Sequence, residues 1–493
     1  MRNPPLNAVA PQCSVELNQH NECIPSRAQL AFKLAFDAKR LIMISNLGEY
    51  SRQRVMTLDI YRQHTSFSRV VLCCFVTPWP ALLLSLVIEA IPLQDPSLGW
   101  QHNYRFWIRL SISIAAAAAG TLFQVRESFA GLSYGRIALA AIGTGFTSSI
   151  MTMLCASLGV FPLPFSWVLM CIPIQIMFLV FSYAVIRQPL KISSIENHLH
   201  GVFPVFSKSL KNRIYLILSP ALLGMVYVIF GVVFTKCTQR QQFGLLLFMP
   251  IMKLLLKHLV ARLASSNKTS IPAVIAFSVD VFNGLYSSIC MHSFKLWWTP
   301  LVMIVLNIIR AIFSLLEISH SVKSLHRQYR TSSSIMNCQW QALNSSEQMC
   351  LGKNDSCSTQ VKERDMSGKI LFHLEYLTLV AYVETIIPLL YAVHLLVLYH
   401  LPNAKYFLHV RLLTSDKLKH IIESILAYVS VEIITLVWLH VELKRKIGFS
   451  LFYQLAFVLV SETELLQGQL FVWVLLMLQL TLVYHGTLST EVQ

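Results

Sequence analysis

Charge is what this sequence has least of. Asp, Glu, Lys and Arg make up 13% of the 493 residues and apolar types 55%, where soluble domains carry roughly 25% charged residues. That balance excludes a water-soluble protein. Acidic residues are the scarcer charges, 24 against 40 basic ones, for a net charge of +16. A basic excess suits nucleic-acid binding only when it gathers on one soluble surface. Here the basic residues fall between apolar blocks, where they act as topology signals, so no nucleic-acid partner is expected.

Motifs of enzyme chemistry are also missing. The chain has no GxxxxGK[ST] phosphate loop, no HExxH and no paired histidine cluster, so neither catalysis nor a cofactor is expected, and a membrane-embedded transferase has the least support. Among the 11 cysteines, Cys338, Cys350 and Cys357 share a polar stretch without a CxxC or a nearby histidine pair, which argues against zinc. The first 25 residues lack the apolar core of a secretory signal, so insertion is expected to rely on the first membrane helix. No internal repeat links early and late segments, which weakens the inverted-repeat form of a transporter.

What is present is a series of apolar blocks of about 20 residues, the length of helix that crosses a bilayer. They fall at 70–91, 107–125, 137–159, 165–186, 214–235, 243–264, 271–292, 297–318, 376–399, 420–441 and 467–485, and predict an all-α polytopic bundle of about eleven spans. A cytosolic tail with amphipathic helices (1–69) precedes eight spans (70–318). A polar cytosolic loop (319–369) then leads to three spans and an interfacial or re-entrant helix at 449–464 (370–493). The sixth block carries Lys253, Lys257 and Arg262. If it spans and the N-terminus is cytosolic, 28 of the 40 basic residues lie inside and 8 outside, whereas a non-spanning block reduces the split to 21 against 17. The positive-inside rule favours the first arrangement. It also places the sequons at Asn267, Asn344 and Asn354 in the cytosol, where they stay unmodified.

Polar residues within the spans point to any specific function. Lys253, Asp280, Arg310, Glu384 and Glu432 lie near span centres, at roughly 2.5–3.5 kcal/mol each if charged and facing lipid. Pairing, protonation or a wet cavity must relieve them. Asp280, Asn283, Gly284 and Ser287 share one helix face, as do Asn307, Arg310, Ser314 and Glu317, and as do Ser424, Tyr428, Glu432 and Thr435. Glu384, Pro388, Tyr391 and His394 lie near one another on the ninth span. Lys253 and Lys257 read most simply as snorkelling lysines, or as a sign that their block lies in the interface. Arg310 paired with Asp280 is an expected structural bridge, beside a transport role. Glu384 and Glu432 are the strongest functional candidates, as protonated carboxyls with no cation evident on their own helices. His394 and His440 read as isolated and interfacial. Prolines at 78, 80, 173, 220, 250 and 388 can free backbone carbonyls inside the bundle. Ala115 to Gly120, Gly143 and Gly145 offer small faces for close packing.

Several stretches resemble a large family of uncharacterised multi-pass membrane proteins of oomycetes (water moulds). They are Thr77-Pro78-Trp79-Pro80-Ala81, Ile91-Pro92-Leu93-Gln94-Asp95-Pro96, Phe106-Trp107-Ile108-Arg109, Tyr399-His400-Leu401-Pro402-Asn403-Ala404-Lys405-Tyr406, Tyr453-Gln454-Leu455-Ala456-Phe457-Val458-Leu459 and Gln467-Gly468-Gln469-Leu470-Phe471-Val472-Trp473. The resemblance implies architecture from about residue 50 onward, and no functional residue. The functional expectation is a transporter or channel for a small solute or ion in the lipid bilayer. The alternative is a receptor or signalling protein that uses its tail and loop.

Overall fold

The computed structural model describes residues 50–126, 132–159, 161–163, 166–194, 237–263, 270–285, 354–411, 413–447 and 450–479, with isolated positions at 223–233, 288–312 and 482–484. The amphipathic helix expected at 28–47, most of the blocks at 214–235 and 297–318, and Asn307 and Arg310 lie outside the described residues.

The described chain is all-α. In order it forms α1 (Arg52–His64), α2 (Phe67–Val76), α3 (Trp79–Ala90), α4 (Tyr104–Arg126), α5 (Tyr134–Leu158), α6 (Ser166–Ser194) and α7 (Gln239–Leu263). These are followed by α8 (Ile271–Leu285), α9 (Asn354–His400), α10 (Ser415–Ile447), α11 (Leu451–Ser461) and α12 (Thr463–Gln479). Among the described residues the only β pairing is a single bridge between Phe407 and Leu482. Among the described residues, five helices are long and apolar enough to cross a membrane: α2 with α3, α4, α5, Leu371–His400 of α9 and Ser415–Arg445 of α10. A sixth is added if α11 and α12, bent by 82° at their junction, count as one span. Outward apolar side chains such as Leu139, Ile142 and Phe146 on α5, and Ile434, Val437 and Trp438 on α10, are exposed. Such faces suit lipid, and the protein is embedded in a membrane through its helices.

Local chemistry sets the breaks. Ser51 caps α1 by accepting from the Arg54 N–H, satisfying one of the free donors of a helix N-terminus. The α2–α3 break falls at Thr77-Pro78. Pro78 has no N–H to offer the Cys74 carbonyl, and the Tyr382 hydroxyl of α9 donates to that carbonyl instead, at 2.6 Å. Gln467 of α12 donates to Thr77 O at 2.7 Å. The expected proline break at this position therefore has named partners in other helices. α9 ends at His400, before Pro402, because the residue ahead of a proline avoids the helical region.

Small residues set the closest packing. α4 lies against both α5 and α12. A Cβ at Gly120 would stand 2.8 Å from the Gly468 carbonyl oxygen, and one at Gly145 would meet Ser111 O and Ala115. Trp473 of α12 is fully buried edge-on to Phe282 of α8, with ring centres 5.0 Å apart.

The structure corrects one boundary. The segment expected as a polar loop to residue 369 is already helical from Asn354, so α9 runs 47 residues without a break to His400. Helical hydrogen bonds are local, and the Gln360 to Lys369 sequence contains no proline or glycine stop before Gly368, so the apolar half of the helix extends through a polar one.

Candidate functional site

The site is assembled from α7, α8 and α9. On α7, Lys253 and Lys257 are four residues apart, one helical turn, and so point to the same side. α8 contains a π-helical turn at Ala276–Asp280, where the Val281 N–H reaches back five residues to Ala276 O. Such turns insert an extra residue and swing a side chain out of the regular α pattern. The residue at the end of this one is Asp280. α9 contributes Tyr376 and Glu384, two turns apart.

These five side chains converge. Lys253 Nζ donates to Glu384 Oε1 at 3.0 Å and lies 2.6 Å from Asp280 Oδ1. Lys257 Nζ lies 2.9 Å from the same Asp280 oxygen and donates to the Tyr376 hydroxyl at 2.5 Å. The two contacts to Asp280 have ion-pair distances but not hydrogen-bond alignment, and Asp280 Oδ2 has no hydrogen-bond partner among the described residues. Both lysines are 8% exposed, Glu384 6% and Asp280 0%. Two ammonium groups face two carboxylates, so the cluster is balanced in charge. Coulomb attraction in this medium offsets desolvation that neither sign could bear alone.

Two expectations are thereby corrected. Lys253 and Lys257 neither snorkel nor mark an interfacial helix, because their ammonium groups turn inward to carboxylates on two other helices. Glu384 has a cation after all, supplied by α7 rather than by its own helix. The expected Asp280–Arg310 bridge involves Arg310, which lies outside the described residues; both lysines lie within ion-pair distance of Asp280. Asn283 is half-buried one turn beyond Asp280, and its Oδ1 has no hydrogen-bond partner among the described residues. Tyr391, Tyr428 and Glu432 are all buried. Glu432 sits on α10, which packs against α9.

Two further polar groups were not apparent as sites in the sequence. His394 is not interfacial: it is fully buried, and its Nε2 lies 2.7 Å from Glu89 Oε2 of α3. Ser85 Oγ donates to the other Glu89 oxygen at 3.3 Å. Asn403 donates to Glu89 O and Ile91 O at 2.6 and 2.7 Å and accepts from the Leu93 N–H at 2.9 Å. It thus satisfies the carbonyls that end α3. Fully buried Arg109 acts electrostatically on Glu89 and lies 5.4 Å over the Phe407 ring.

The second group lies at the membrane entry of α1. Arg54 Nη2 donates to Glu375 Oε1 of α9 at 3.0 Å, and its Nη1 to Glu462 Oε1 at the α11–α12 bend at 2.9 Å. Burial, the largest single effect, would depress the Arg54 pKa, but Glu375, Tyr50 and Glu462 together outweigh it and hold it above its ordinary value. Burial, reinforced by Glu375, pushes the neighbouring Tyr50 hydroxyl well above the usual tyrosine range. An i to i+4 search on the apolar blocks would have flagged Ser85 with Glu89, but Arg54 and Glu375 sit just outside the blocks and carry no local signal.

No protein-family model matches the chain, and neither a curated protein nor a solved structure does. Among the described residues no group of three or more His, Cys, Asp or Glu side chains is arranged to hold a metal ion.

Proposed function

We propose that this is a multi-pass membrane protein that moves a small solute or ion, with Lys253, Lys257, Asp280 and Glu384 as its coupling site and its N-terminus in the cytosol. One observation carries the reading. Lys253 is shared between two carboxylates on different helices, 2.6 Å from one and 3.0 Å from the other. A small shift of α7 against α8 and α9 transfers the ammonium from one carboxylate to the other, and the carboxylate left behind can take a cation or a proton. Alternating occupancy of this kind is how buried charges serve transport pathways. The π-helical turn at Asp280 supports it, since such turns lend a helix local freedom at functional positions.

A second reading, a receptor or signalling protein in which the cluster locks three helices, is favoured by the closure of the pairs: every charged member is at most 8% exposed. Solid-supported-membrane recordings on reconstituted protein separate the two. Jumps in pH, sodium, potassium and chloride, and in a panel of amino acids and sugars, should evoke transient currents in the wild type that vanish in folded Glu384→Gln. The locked receptor gives no such currents in either.

A further inference from the structure

Two of the buried ionic groups differ in one respect that their geometry makes plain. In the cluster of α7, α8 and α9, two lysines meet two carboxylates. At the bend of α11 and α12, one guanidinium meets two: Arg54 holds Glu375 at 3.0 Å and Glu462 at 2.9 Å. The Glu375 side chain is 1% exposed, and those of Arg54 and Glu462 are each 10% exposed. If both acids are ionised, one negative charge is left over in a setting where an uncompensated charge costs several kcal/mol. Ser270 Oγ donates to both Glu462 oxygens, at 3.2 and 3.1 Å, so Glu462 is well provided for. Glu375 Oε2 is buried and has no hydrogen-bond partner among the described residues.

We infer that the Arg54–Glu375–Glu462 group binds one exchangeable proton, with Glu375 Oε2 as its seat. The titratable and charged groups that face it are Tyr50 and Arg54 from α1, Glu375 from α9 and Glu462 from the α11–α12 bend. Its neutral polar neighbours are Ser270, ahead of α8, and Gln454 on α11. The Tyr50 hydroxyl lies beside Glu375 without hydrogen-bond alignment and can accept from a protonated carboxyl there. A metal cation fits poorly, because the guanidinium already occupies the inner oxygen of each carboxylate and would repel it. The proton comes from water and returns there, leaving two carboxylates, one on α9 and one at the 82° bend, that repel each other across Arg54. The balanced cluster requires no such proton. The inference stands apart from the transport reading, because its test uses neither substrate nor flux.

The test is the pH dependence of thermal stability for the full chain in detergent, compared among variants. In the unfolded chain both acids are ionised above about pH 4.3, while the folded protein keeps one proton. This contribution is fully present below that pH and is lost as pH rises through the release of the folded-state proton. Until release, the folding constant falls about tenfold per pH unit on this account. Glu375→Gln and Glu462→Gln each mimic the protonated state, so each should fold and lack this tenfold slope, while Glu384→Gln keeps it. The double variant strands Arg54 and should lose stability at every pH. In infrared spectra, a deuterium-sensitive carboxylic C=O band present in wild type should be missing from Glu375→Gln. Equal slopes in wild type and both single variants overturn the inference. So does failure of both single variants to fold, or stabilisation of the wild type at high pH by sodium that is absent in the variants.

Discussion

Replacing Lys253 with methionine removes one of two cations from the cluster while keeping the length and apolar stem of the side chain. Of the two lysines only Lys257 then remains, 2.9 Å from Asp280, so the cluster is one positive charge short against its two carboxylates. Breaking a buried pair in this way costs about 3–5 kcal/mol. Adding Glu384→Gln to Lys253→Met restores the balance, Lys257 against Asp280, and the remaining loss is a hydrogen bond and some packing, about 1–2 kcal/mol. The double variant is therefore expected to be more stable than Lys253→Met alone by roughly 2–3 kcal/mol, so the two substitutions are far from additive. Unfolding by a rising fraction of a denaturing detergent in mixed micelles, followed by the fluorescence of the nine tryptophans, measures each corner of the cycle. Additivity to within about 0.5 kcal/mol would refute the shared-lysine geometry.

Two smaller effects follow from the same structure. Tyr382→Phe withdraws the donor that serves the Cys74 carbonyl, at about 1 kcal/mol. Pro78→Ala should recover part of that loss in the Tyr382→Phe background, since the alanine supplies an N–H to the same carbonyl, and equal losses in both backgrounds would count against the partnership. At the loop after α3, Asp95 accepts from the Ser97 N–H and hydroxyl at 2.9 and 2.7 Å, and these bonds, the backbone one foremost, hold its carboxyl below the usual range. Asp95 is solvent-exposed, so Asp95→Ala is expected near the lower end of the capping range, about 0.5 kcal/mol. That contribution is present above about pH 3.9 and lost as pH falls through the folded-state value, so the wild-type and variant stability curves should converge in acid.

The architecture was legible because it depends on local statistics. Apolar blocks of spanning length, proline breaks at Thr77-Pro78 and before Pro402, and small residues at 120 and 145 each carry their structural consequence within a few neighbours. The turn from α11 into α12 was likewise marked by the polar run Ser461-Glu462-Thr463-Glu464. Asp280, Glu384, Lys253 and Lys257 stood out for a different reason, the cost of charge in an apolar run. Their partners did not. Lys253 and Glu384 are 131 positions apart, and nothing in the pattern of either helix states that they meet, so pairing with Arg310 and snorkelling were equally consistent with the wheel. Glu89, Arg109 and His394 were harder still, because each is a lone polar residue whose role depends on helices brought together over about 300 positions. Asn403 carries no local signal either, and its actual work lies on the carbonyls of α3.

The central claim is that the Lys253–Asp280–Glu384 arrangement is a working site and not only a brace. Currents on a solid-supported membrane after ion and solute jumps test it most directly, with wild type and Glu384→Gln reconstituted at matched density and matched helical content. The account predicts transient currents in the wild type for at least one jump and their loss in the variant. Currents of equal size in both, or none in either, would contradict it.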